Sequence, residues 1–234
     1  MPRGRSWATA RRARPARGPR SGGRLAGVYV AVAGNIGAGK STLTRLLAER
    51  FLLDPVYEAV DENPYLADFY RDMARYAFHS QMFFLAARLR QHLAQVNPGE
   101  RVIQDRTVYE DAAVFAHQLY ASGVMDGRDW SSYQTMYDAV QRALRPPDLL
   151  VYLRASLPTL RQLIAQRGRA FEQQIEDGYL ERLGVLYEAF LEGYDLSPVV
   201  VIDADRFDVL NRTADREAVF ATLERHGLAT PVVR

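Results

Sequence analysis

A glycine-rich run near residue 40 carries the clearest chemical signal in the sequence. It reads Gly-Asn-Ile-Gly-Ala-Gly-Lys-Ser-Thr over residues 34–42 and matches the pattern G-x-x-x-x-G-K-[ST] in full. Its members are Gly34, Asn35, Ile36, Gly37, Ala38, Gly39, Lys40, Ser41 and Thr42. Glycines allow successive backbone N–H groups to surround phosphate oxygens, and a helix N-terminus adds the positive end of its dipole. The run therefore predicts a P-loop that binds the phosphates of a nucleoside triphosphate.

Two side chains of the P-loop have predicted roles of their own. Lys40 should reach the β and γ phosphates, and Ser41 should ligate Mg²⁺. Lys40 is the only lysine in the chain, against 29 arginines, and a planar guanidinium does not replace a compact ammonium among phosphate oxygens. The N-K-x-D motif of GTPases is absent, because the one lysine follows a glycine. We expect a small-molecule kinase that uses ATP; a glycine-rich turn without a ligand is the alternative.

Regular elements must position these residues, and the sequence pattern predicts which they are. Short runs rich in Val, Ile, Leu and Tyr alternate with longer helical patterns, as in parallel βαβ units. Strands are predicted over residues 28–33, 55–60, 101–104, 148–153 and 198–202. Helices are predicted over residues 40–51, 64–95, 108–121, 128–144, 157–167, 178–192 and 214–225. This order predicts a three-layer α/β fold of the P-loop kinase type, with a five-stranded parallel sheet flanked by helices.

Length and charge divide the chain into two unequal parts. With 234 residues, 48% of them hydrophobic, it is long enough for one well-packed domain and short for two. Residues 1–25 hold eight arginines and no acid, while the rest holds 22 basic and 28 acidic residues, a formal charge of −6. We predict a disordered Arg-rich extension over residues 1–25 and a single domain over residues 26–234. The acidic body is not expected to bind nucleic acid. For the extension a solvated segment or an over-called start codon is favoured, and nucleic-acid contact and organelle targeting are the alternatives.

Composition also excludes several classes of site. The chain contains no cysteine, which rules out disulfides, thiolate nucleophiles and cysteine-ligated zinc or iron–sulfur centres. No stretch approaches the roughly 20 apolar residues that span a bilayer, and no short apolar run follows the basic N-terminus as in a secretory signal. We expect a soluble, cytoplasmic protein with no membrane partner.

Three further blocks give the sequence its resemblance to the deoxynucleoside kinase family. They read Glu-Ala-Val-Asp-Glu-Asn-Pro-Tyr-Leu over residues 58–66, Asp-Arg-Thr-Val-Tyr-Glu-Asp over 105–111 and Arg-Gly-Arg-Ala-Phe-Glu over 167–172. With the P-loop they carry a resemblance that extends over nearly all of residues 28–202, and the match is to the bacterial type. The resemblance implies that the domain of residues 26–234 is a kinase of nucleotide salvage. It would phosphorylate the 5′-hydroxyl of a 2′-deoxynucleoside, with ATP as the phosphate donor and Mg²⁺ as the cofactor. It also implies a homodimer.

The resemblance implies catalytic roles for residues at two predicted strand ends. Glu58 matches the glutamate that accepts the proton of the substrate 5′-hydroxyl, and lies where ligands bind in α/β sheets. Asp105 would help to hold Mg²⁺, and Arg106 would anchor Glu58 and the attacking oxygen. The alternatives are a surface acid for Glu58 and a structural ion pair for Asp105 and Arg106. The family usually has proline after this glutamate, where the chain has Ala59.

The third block matches the family's lid. Arg167 and Arg169 would stabilise the charge that phosphoryl transfer spreads over the phosphate oxygens, and a mobile lid excludes water. Glu172 completes the R-G-R-x-x-E spacing, and a solvated charge run is the alternative. Leu163 stands one turn earlier, where relatives often carry another arginine, so the lid is expected to hold one positive charge fewer.

A substrate pocket is predicted around the long helix of residues 64–95. Gln81 and Arg88 are seven positions apart and share one face, while apolar residues on the other sides predict burial all round. By resemblance Gln81 reads a base edge and Arg88 pairs with Asp111. Tyr70 would bind the sugar 3′-hydroxyl together with Glu172. A structural ion pair of Arg88 and Asp111 and a packed aromatic role for Tyr70 are the alternatives.

The same residues bear on specificity. Arg with Asp at the base edge marks the deoxycytidine and purine branch of the family, so thymidine is disfavoured. The block of residues 62–66 resembles bacterial deoxyguanosine and deoxyadenosine kinases, which favours purines and leaves deoxycytidine open. Two other functions stay open: a nucleoside monophosphate kinase similar to thymidylate kinase, and a catalytically silent subunit that binds or senses nucleotides.

Overall fold

A computed structural model of the chain describes residues 27–58 and 62–231, which form a three-layer α/β fold. The predicted extension of residues 1–25 lies outside the described residues. Five strands form one sheet in the order β2-β3-β1-β4-β5, and every neighbouring pair is parallel. The strands are β1 (Val28–Gly34), β2 (Asp54–Val56), β3 (Arg101–Asp105), β4 (Leu149–Arg154) and β5 (Val199–Asp203). The predicted fold class is confirmed.

Helices cover both faces of the sheet. They are α1 (Lys40–Phe51), α2 (Leu66–Arg71), α3 (Met73–Gln91), α4 (Val108–Glu110), α5 (His117–Ala121), α6 (Gly127–Val140), α7 (Leu157–Arg167), α8 (Ala170–Gln173), α9 (Asp177–Glu192) and α10 (Thr213–Arg225). Two wider π-helical stretches continue them, His92–Val96 after α3 and Asp111–Ala116 between α4 and α5. Of the helices that the structure describes, none combines the length and apolarity needed to cross a membrane.

The sheet brings the predicted site residues together at the carboxyl ends of its strands. β1 lies between β3 and β4, with Val32 opposite Asp105 on one side and Val151 on the other. All but the first residue of β1 and all but the last of β4 are buried, because helices cover them on both faces. The chain leaves β1 toward one edge of the sheet and leaves β3 toward the other, which opens a crevice at the carboxyl ends of these strands.

The predicted helix over residues 64–95 is wrong in two respects, the first of which is that the chain breaks it at Asp72. The Asp72 side chain accepts a hydrogen bond from the backbone N–H of Arg75 at 3.2 Å and so begins α3 as a new helix. The expected burial on all sides is also wrong. Ala86 of α3 is exposed, and Leu93, in the π-helical stretch that follows, is 46% exposed, so this segment is buried along one stripe.

Smaller differences concern the ends of elements. β2 ends at Val56 instead of residue 60, so Glu58 lies two residues beyond the strand; residues 59–61 are outside the described part. Pattern reasoning also missed the short α8, because one helical turn contains no complete period.

Candidate active site

A cleft of about 520 Å³ opens at the carboxyl ends of β1, β2 and β3. The P-loop forms its floor, α2 and α3 form one wall, and the end of α7 with α8 forms the other. Its lining includes most of the predicted site, namely Ile36, Gly37, Gly39, Lys40, Ser41, Thr42, Glu58, Tyr70, Gln81, Asp105, Arg106, Asp111, Arg167, Arg169 and Glu172. The four sequence blocks, far apart along the chain, thus meet in one cavity.

The P-loop owes its shape to glycines with left-handed backbone. Gly37 has a φ of 80°, and a Cβ at this position would lie 2.5 Å from Cγ1 of Ile164 in α7. Only glycine permits both this backbone conformation and the close approach of α7. Gly39, with a φ of 89°, then leads directly into α1, whose N-terminus faces the cleft. The loop is therefore shaped to surround phosphate oxygens.

Lys40 is buried at the start of α1. Its Nζ donates a hydrogen bond to the carbonyl oxygen of Asn35 at 2.8 Å, across the loop. Burial and the nearby Arg106 guanidinium lower the pKa of Lys40 to about 8, although carboxylates including Asp105 and Glu58 oppose the decrease. An anion bound in the loop would favour the charged ammonium, so the pKa of Lys40 should rise when phosphates bind.

Glu58 faces the P-loop from the other side of the cleft, held by two guanidinium groups. Its Oε1 lies 2.6 Å from Nη2 of Arg88, and its Oε2 lies 3.3 Å from Nε of Arg106. Burial alone would raise the pKa of Glu58, but Arg106, Arg88 and Lys40 outweigh this effect and lower it to about 2. Glu58 is therefore ionised throughout the physiological range, with both oxygens oriented.

Arg106 occupies an unusual backbone conformation. Its φ is +66°, the left-handed region that non-glycine residues rarely adopt, at a cost on the order of 1–3 kcal/mol. The backbone N–H of Arg106 donates to the carbonyl of Val32 at 2.9 Å, which continues the β1–β3 pairing past the strand end. Its guanidinium lies 4.2 Å from the ring centroid of Phe115. This strained turn directs the side chain toward Glu58.

Ser41 and Asp105 are the residues that would hold a magnesium ion. The Ser41 hydroxyl donates to Oδ2 of Asp105 at 2.5 Å, while Oδ1 of Asp105 is buried without a hydrogen-bond partner. Hard oxygen ligands of this kind suit Mg²⁺, which usually takes one or two protein ligands together with phosphates and water. No group of three or more His, Asp or Glu side chains suited to a metal occurs in the described residues.

Arg88 lies behind the cleft wall and connects two carboxylates. Its Nε forms an ion pair with Oδ2 of Asp111, its Nη2 binds Glu58, and its Nη1 donates to the carbonyl of Arg106 at 3.3 Å. The Arg88 side chain is only 3% exposed, whereas Gln81 and Asp111 line the cleft. Burial would lower the pKa of Arg88, but the Asp111 and Glu58 carboxylates raise it, so the guanidinium stays charged.

The predicted lid residues converge on one buried carboxylate. Oε1 of Glu172 lies 3.2 Å from Nη1 of Arg167 and 3.4 Å from Nη1 of Arg169. α7 ends at Arg167, and Gly168 caps it with a left-handed φ of 72°. Oε2 of Glu172 is buried without a hydrogen-bond partner and belongs to the same cleft as Tyr70. Burial raises the pKa of Tyr70, so its hydroxyl keeps its proton and can donate it.

Sequence reasoning missed a second pocket of about 230 Å³ beside the P-loop. It lies between α7 and the segment that joins β5 to α10, and Gly39, Thr42 and Leu163 line both cavities. Its other lining residues include Thr159, Gln162 and residues 204–212. The joining segment has no regular period or motif, so the sequence contained no signal for this pocket.

A buried carboxylate below the P-loop was also missed. Glu110 accepts a hydrogen bond from the backbone N–H of Thr107 at 2.8 Å and closes a capping box at the start of α4. The T-x-x-E spacing could have indicated that cap. It could not have shown that the same carboxyl group reaches Gly34, because that contact is tertiary.

Comparison with known proteins places this geometry in a family. The sequence profile described as deoxynucleoside kinase matches residues 30–226. The deoxyadenosine/deoxycytidine kinase of Bacillus subtilis is 38% identical over 184 residues, which cover 78% of this chain and 85% of that protein. The deoxyguanosine kinase of Lactobacillus acidophilus is 38% identical over 200 residues, which cover 81% of this chain and 86% of that protein.

Solved structures lead to the same result. The deoxyadenosine kinase from M. mycoides with bound dATP superposes with a TM-score of 0.74 and 33% identity, covering 84% of this chain and all of that one. The same enzyme with bound dCTP gives a TM-score of 0.73 and 31% identity over 85% of this chain. The resemblance inferred from four sequence blocks is thus confirmed, and the chain belongs to the deoxynucleoside kinase family.

Proposed function

We propose that this protein transfers the γ-phosphate of ATP to the 5′-hydroxyl of a 2′-deoxynucleoside, with deoxyguanosine or deoxyadenosine preferred and deoxycytidine accepted. The observation that carries the proposal is the position of Glu58, an oriented carboxylate that faces the P-loop across one cleft. A hydroxyl placed between Glu58 and the loop would meet a proton acceptor on one side and a phosphate on the other. Named relatives that act on deoxyadenosine, deoxyguanosine and deoxycytidine support the substrate class.

On the donor side, the P-loop would bind the β and γ phosphates through its backbone N–H groups and Lys40. Ser41 and Asp105 would hold Mg²⁺, which when bound neutralises charge on the phosphates. The second pocket adjoins the P-loop and is large enough for a planar base, so we place the donor base there. Binding of the phosphates should keep Lys40 protonated.

On the acceptor side, Glu58 would accept a hydrogen bond from the 5′-hydroxyl and align its oxygen with the γ-phosphate. A carboxylate with a pKa of about 2 is a weak base, so its main contribution is orientation, with proton transfer late in the reaction. Loose transition states of phosphoryl transfer depend mostly on positioning and charge stabilisation. Arg106, beside Glu58, would contact the attacking oxygen.

The lid supplies the remaining positive charge. Arg167 and Arg169 contact Glu172 in this structure, and a bound triphosphate would compete for both guanidiniums. Their transfer to the phosphates would free Oε1 of Glu172 for the sugar 3′-hydroxyl, beside Tyr70. Leu163 lines both cavities without a charge, so this lid would act with two arginines.

The base would lie between Gln81 and Asp111. Oδ2 of Asp111 is buried against Arg88. The carboxylate can accept a further hydrogen bond, so it would suit a donor group on the edge of the base. Arg88 is shielded from the cleft and would act on the base through Asp111. Amino groups are the donors that adenine and cytosine present on this kind of edge, and guanine presents ring N–H and amino groups.

A monophosphate kinase is disfavoured by the charge at the acceptor end of the cleft. A substrate phosphate would confront the ionised Glu58, and both guanidiniums near it already pair with that carboxylate. A silent nucleotide-binding subunit is disfavoured because Lys40, Glu58, Asp105 and Arg106 all line the same cleft. The family match favours the kinase over both alternatives.

We also infer a homodimer in the cytoplasm. α3 and α6 pack together, and beside them Leu93 and Met136 are each 46% exposed, which supplies apolar surface for a second copy. The support for the cytoplasm is the composition alone. Light scattering during size-exclusion chromatography tests the dimer, and a monomer at micromolar concentration would refute it.

The test of function is ADP release with a panel of acceptors. Deoxyguanosine, deoxyadenosine and deoxycytidine should support ATP turnover, thymidine should support little, and dTMP should support none. Mass spectrometry should find the new phosphate on the 5′-oxygen. Turnover with dTMP alone would establish the monophosphate kinase, and no turnover with any acceptor would establish the silent subunit.

A further inference from the structure

Two buried side chains that the proposed mechanism does not use meet at the first residue of the P-loop. The Tyr187 hydroxyl, in α9, lies 2.7 Å from the carbonyl oxygen of Gly34 and 2.6 Å from Oε2 of Glu110. The backbone N–H of Gly34 points to the same Oε2 at 3.5 Å. Tyr187 and Glu110 are both fully buried. Both polar backbone groups of Gly34 thus have a buried partner, the carbonyl oxygen in Tyr187 and the N–H in Glu110.

A count of hydrogens shows that this arrangement needs one proton more than Tyr187 supplies. A phenol has one proton, whereas the carbonyl of Gly34 and an ionised Glu110 would both be acceptors at hydrogen-bond distance. With a proton on Oε2, Glu110 donates to the Tyr187 oxygen and Tyr187 donates to Gly34. The other oxygen of Glu110 still accepts from the N–H of Thr107. Every close contact then has one donor and one acceptor.

The surroundings of Glu110 are compatible with a neutral carboxylic acid. The titratable groups that face it are Lys40 of α1, Arg106 after β3, Tyr187 of α9, Tyr29 of β1 and Tyr152 of β4. Burial raises the pKa of Glu110, and the two cations and the hydrogen bonds reduce this effect without cancelling it. The cations of the cleft also have partners other than Glu110, because Arg88 and Arg106 lie beside Glu58, Arg88 also pairs with Asp111, and Asp105 lies near Lys40.

α9 holds the next P-loop residue as well. The Asn35 side chain donates through Nδ2 to the carbonyl of Leu180 at 2.8 Å and accepts from the N–H of Ile36 at 2.8 Å. Leu180 and Tyr187 are seven residues apart and so lie on one face of α9. One helix therefore fixes two consecutive residues of the loop whose backbone must surround the phosphates.

We propose that Glu110, as a neutral acid, and Tyr187 are positioning residues that hold the P-loop in its phosphate-binding shape. The inference rests on the proposed function only in that the loop binds ATP. Their removal should weaken ATP binding and leave the deoxynucleoside site unchanged, because neither residue lines that cleft.

The experiment compares four variants in steady-state kinetics. Tyr187→Phe and Glu110→Ala should each raise the KM for ATP by roughly threefold to tenfold, the range for one lost hydrogen bond, with little change in the KM for the deoxynucleoside. Glu110→Gln should restore the KM that Glu110→Ala loses, because a neutral amide also donates to Tyr187. Tyr152→Phe is the matched control: its buried ring stacks on Tyr187, but its hydroxyl contacts Glu188 and not the loop.

Two further measurements keep the inference testable. The infrared difference spectrum of wild type minus Glu110→Gln should contain the carbonyl band of a protonated carboxylic acid, and a carboxylate band instead would overturn the neutral state. The ATP-induced rise in Tm, measured in each variant, tests the loop even if the wild type phosphorylates no deoxynucleoside. The proposal would be overturned if Tyr187→Phe had the same ATP-induced rise in Tm as the wild type. It would also be overturned if the KM for ATP were raised as much in Glu110→Gln as in Glu110→Ala.

Discussion

The donor side and the acceptor side of the cleft are stabilised by different interactions. The P-loop is held mainly by neutral hydrogen bonds, among them those of Asn35 to Leu180 and Tyr187 to Gly34. The acceptor side is built from buried ion pairs, in which Arg88 joins Glu58 to Asp111. Phosphates are alike in all nucleotides, so a fixed backbone suffices to bind them. A hydroxyl that must attack in one direction needs an oriented charge.

This difference implies unequal sensitivity to substitution. Loss of one neutral hydrogen bond costs about 0.5–1.5 kcal/mol, whereas breaking a buried ion pair leaves a stranded charge and costs about 3–5 kcal/mol. Substitutions on the acceptor side should therefore have the larger effects. The predictions that follow test this order.

The largest effect is expected at Glu58. Glu58→Gln keeps the shape of the side chain but removes the charge that we propose orients the 5′-hydroxyl, so turnover should fall by roughly 10²-fold or more. The fold and the ATP-induced rise in Tm should remain. The matched control is Glu62→Gln, because Glu62 is 61% exposed and pairs with Arg90 at the surface. Near-normal ADP release by Glu58→Gln would remove Glu58 from the mechanism.

The next effect concerns the pair of Arg88 and Asp111. Arg88→Met and Asp111→Ala should each lower the free energy of unfolding by about 3–5 kcal/mol, because each strands a buried charge. The double variant should recover part of this loss, with a coupling energy of roughly 1–3 kcal/mol. Arg154→Met is the control, since its pair with Glu188 is about half exposed on both sides and should contribute about 0–1 kcal/mol.

The same variants test the choice of base. Both single variants should be severely impaired on purine deoxynucleosides, and the double variant should shift preference toward thymidine. Affinity for ATP should hardly change, because neither residue contacts the P-loop. Additive stability effects with an unchanged base preference would show that the pair neither couples nor reads the base.

A smaller effect on the donor side depends on pH. In the proposed mechanism the free enzyme binds the phosphates with a protonated Lys40, and the pKa of Lys40 is about 8. The kcat/KM for ATP should therefore fall about tenfold per pH unit as the pH rises above this value. Saturating ATP should shift the fall to higher pH, since bound phosphates favour the ammonium. Lys40→Arg should have a low kcat/KM at every pH, because a guanidinium replaces the ammonium poorly, and its residual activity should lack this fall, because a guanidinium does not titrate there. A flat wild-type profile up to pH 10 would contradict the assignment.

The smallest effect is expected outside the cleft. Deletion of residues 1–20 should leave kcat, both KM values and Tm unchanged, because the Arg-rich composition offers little to pack. Circular dichroism melts and the acceptor panel provide the measurement. A marked loss in either would show that the extension contributes to the folded enzyme.

The sequence was sufficient for the features that depend on local pattern. The P-loop and β1, β3, β4 and β5 follow from glycine spacing and runs of buried apolar residues. It could not predict the left-handed backbone of Arg106, because such strain is imposed by surrounding structure. The contact of Arg88 with Glu58 joins residues 30 positions apart, and no periodicity encodes it. The same holds for Tyr187 and Glu110, which are 77 positions apart.

The packing of Ile164 against Gly37 has a mechanical consequence for the lid. Ile164 lies one turn before the end of α7 and is buried against the P-loop, so the body of that helix is tied to the loop. α7 ends at Arg167 and is followed by Gly168, whose φ is 72°. In the proposed lid movement Arg167 would therefore stay with the P-loop, whereas Arg169 would move about Gly168. The extent of that movement would depend on the few residues after Gly168.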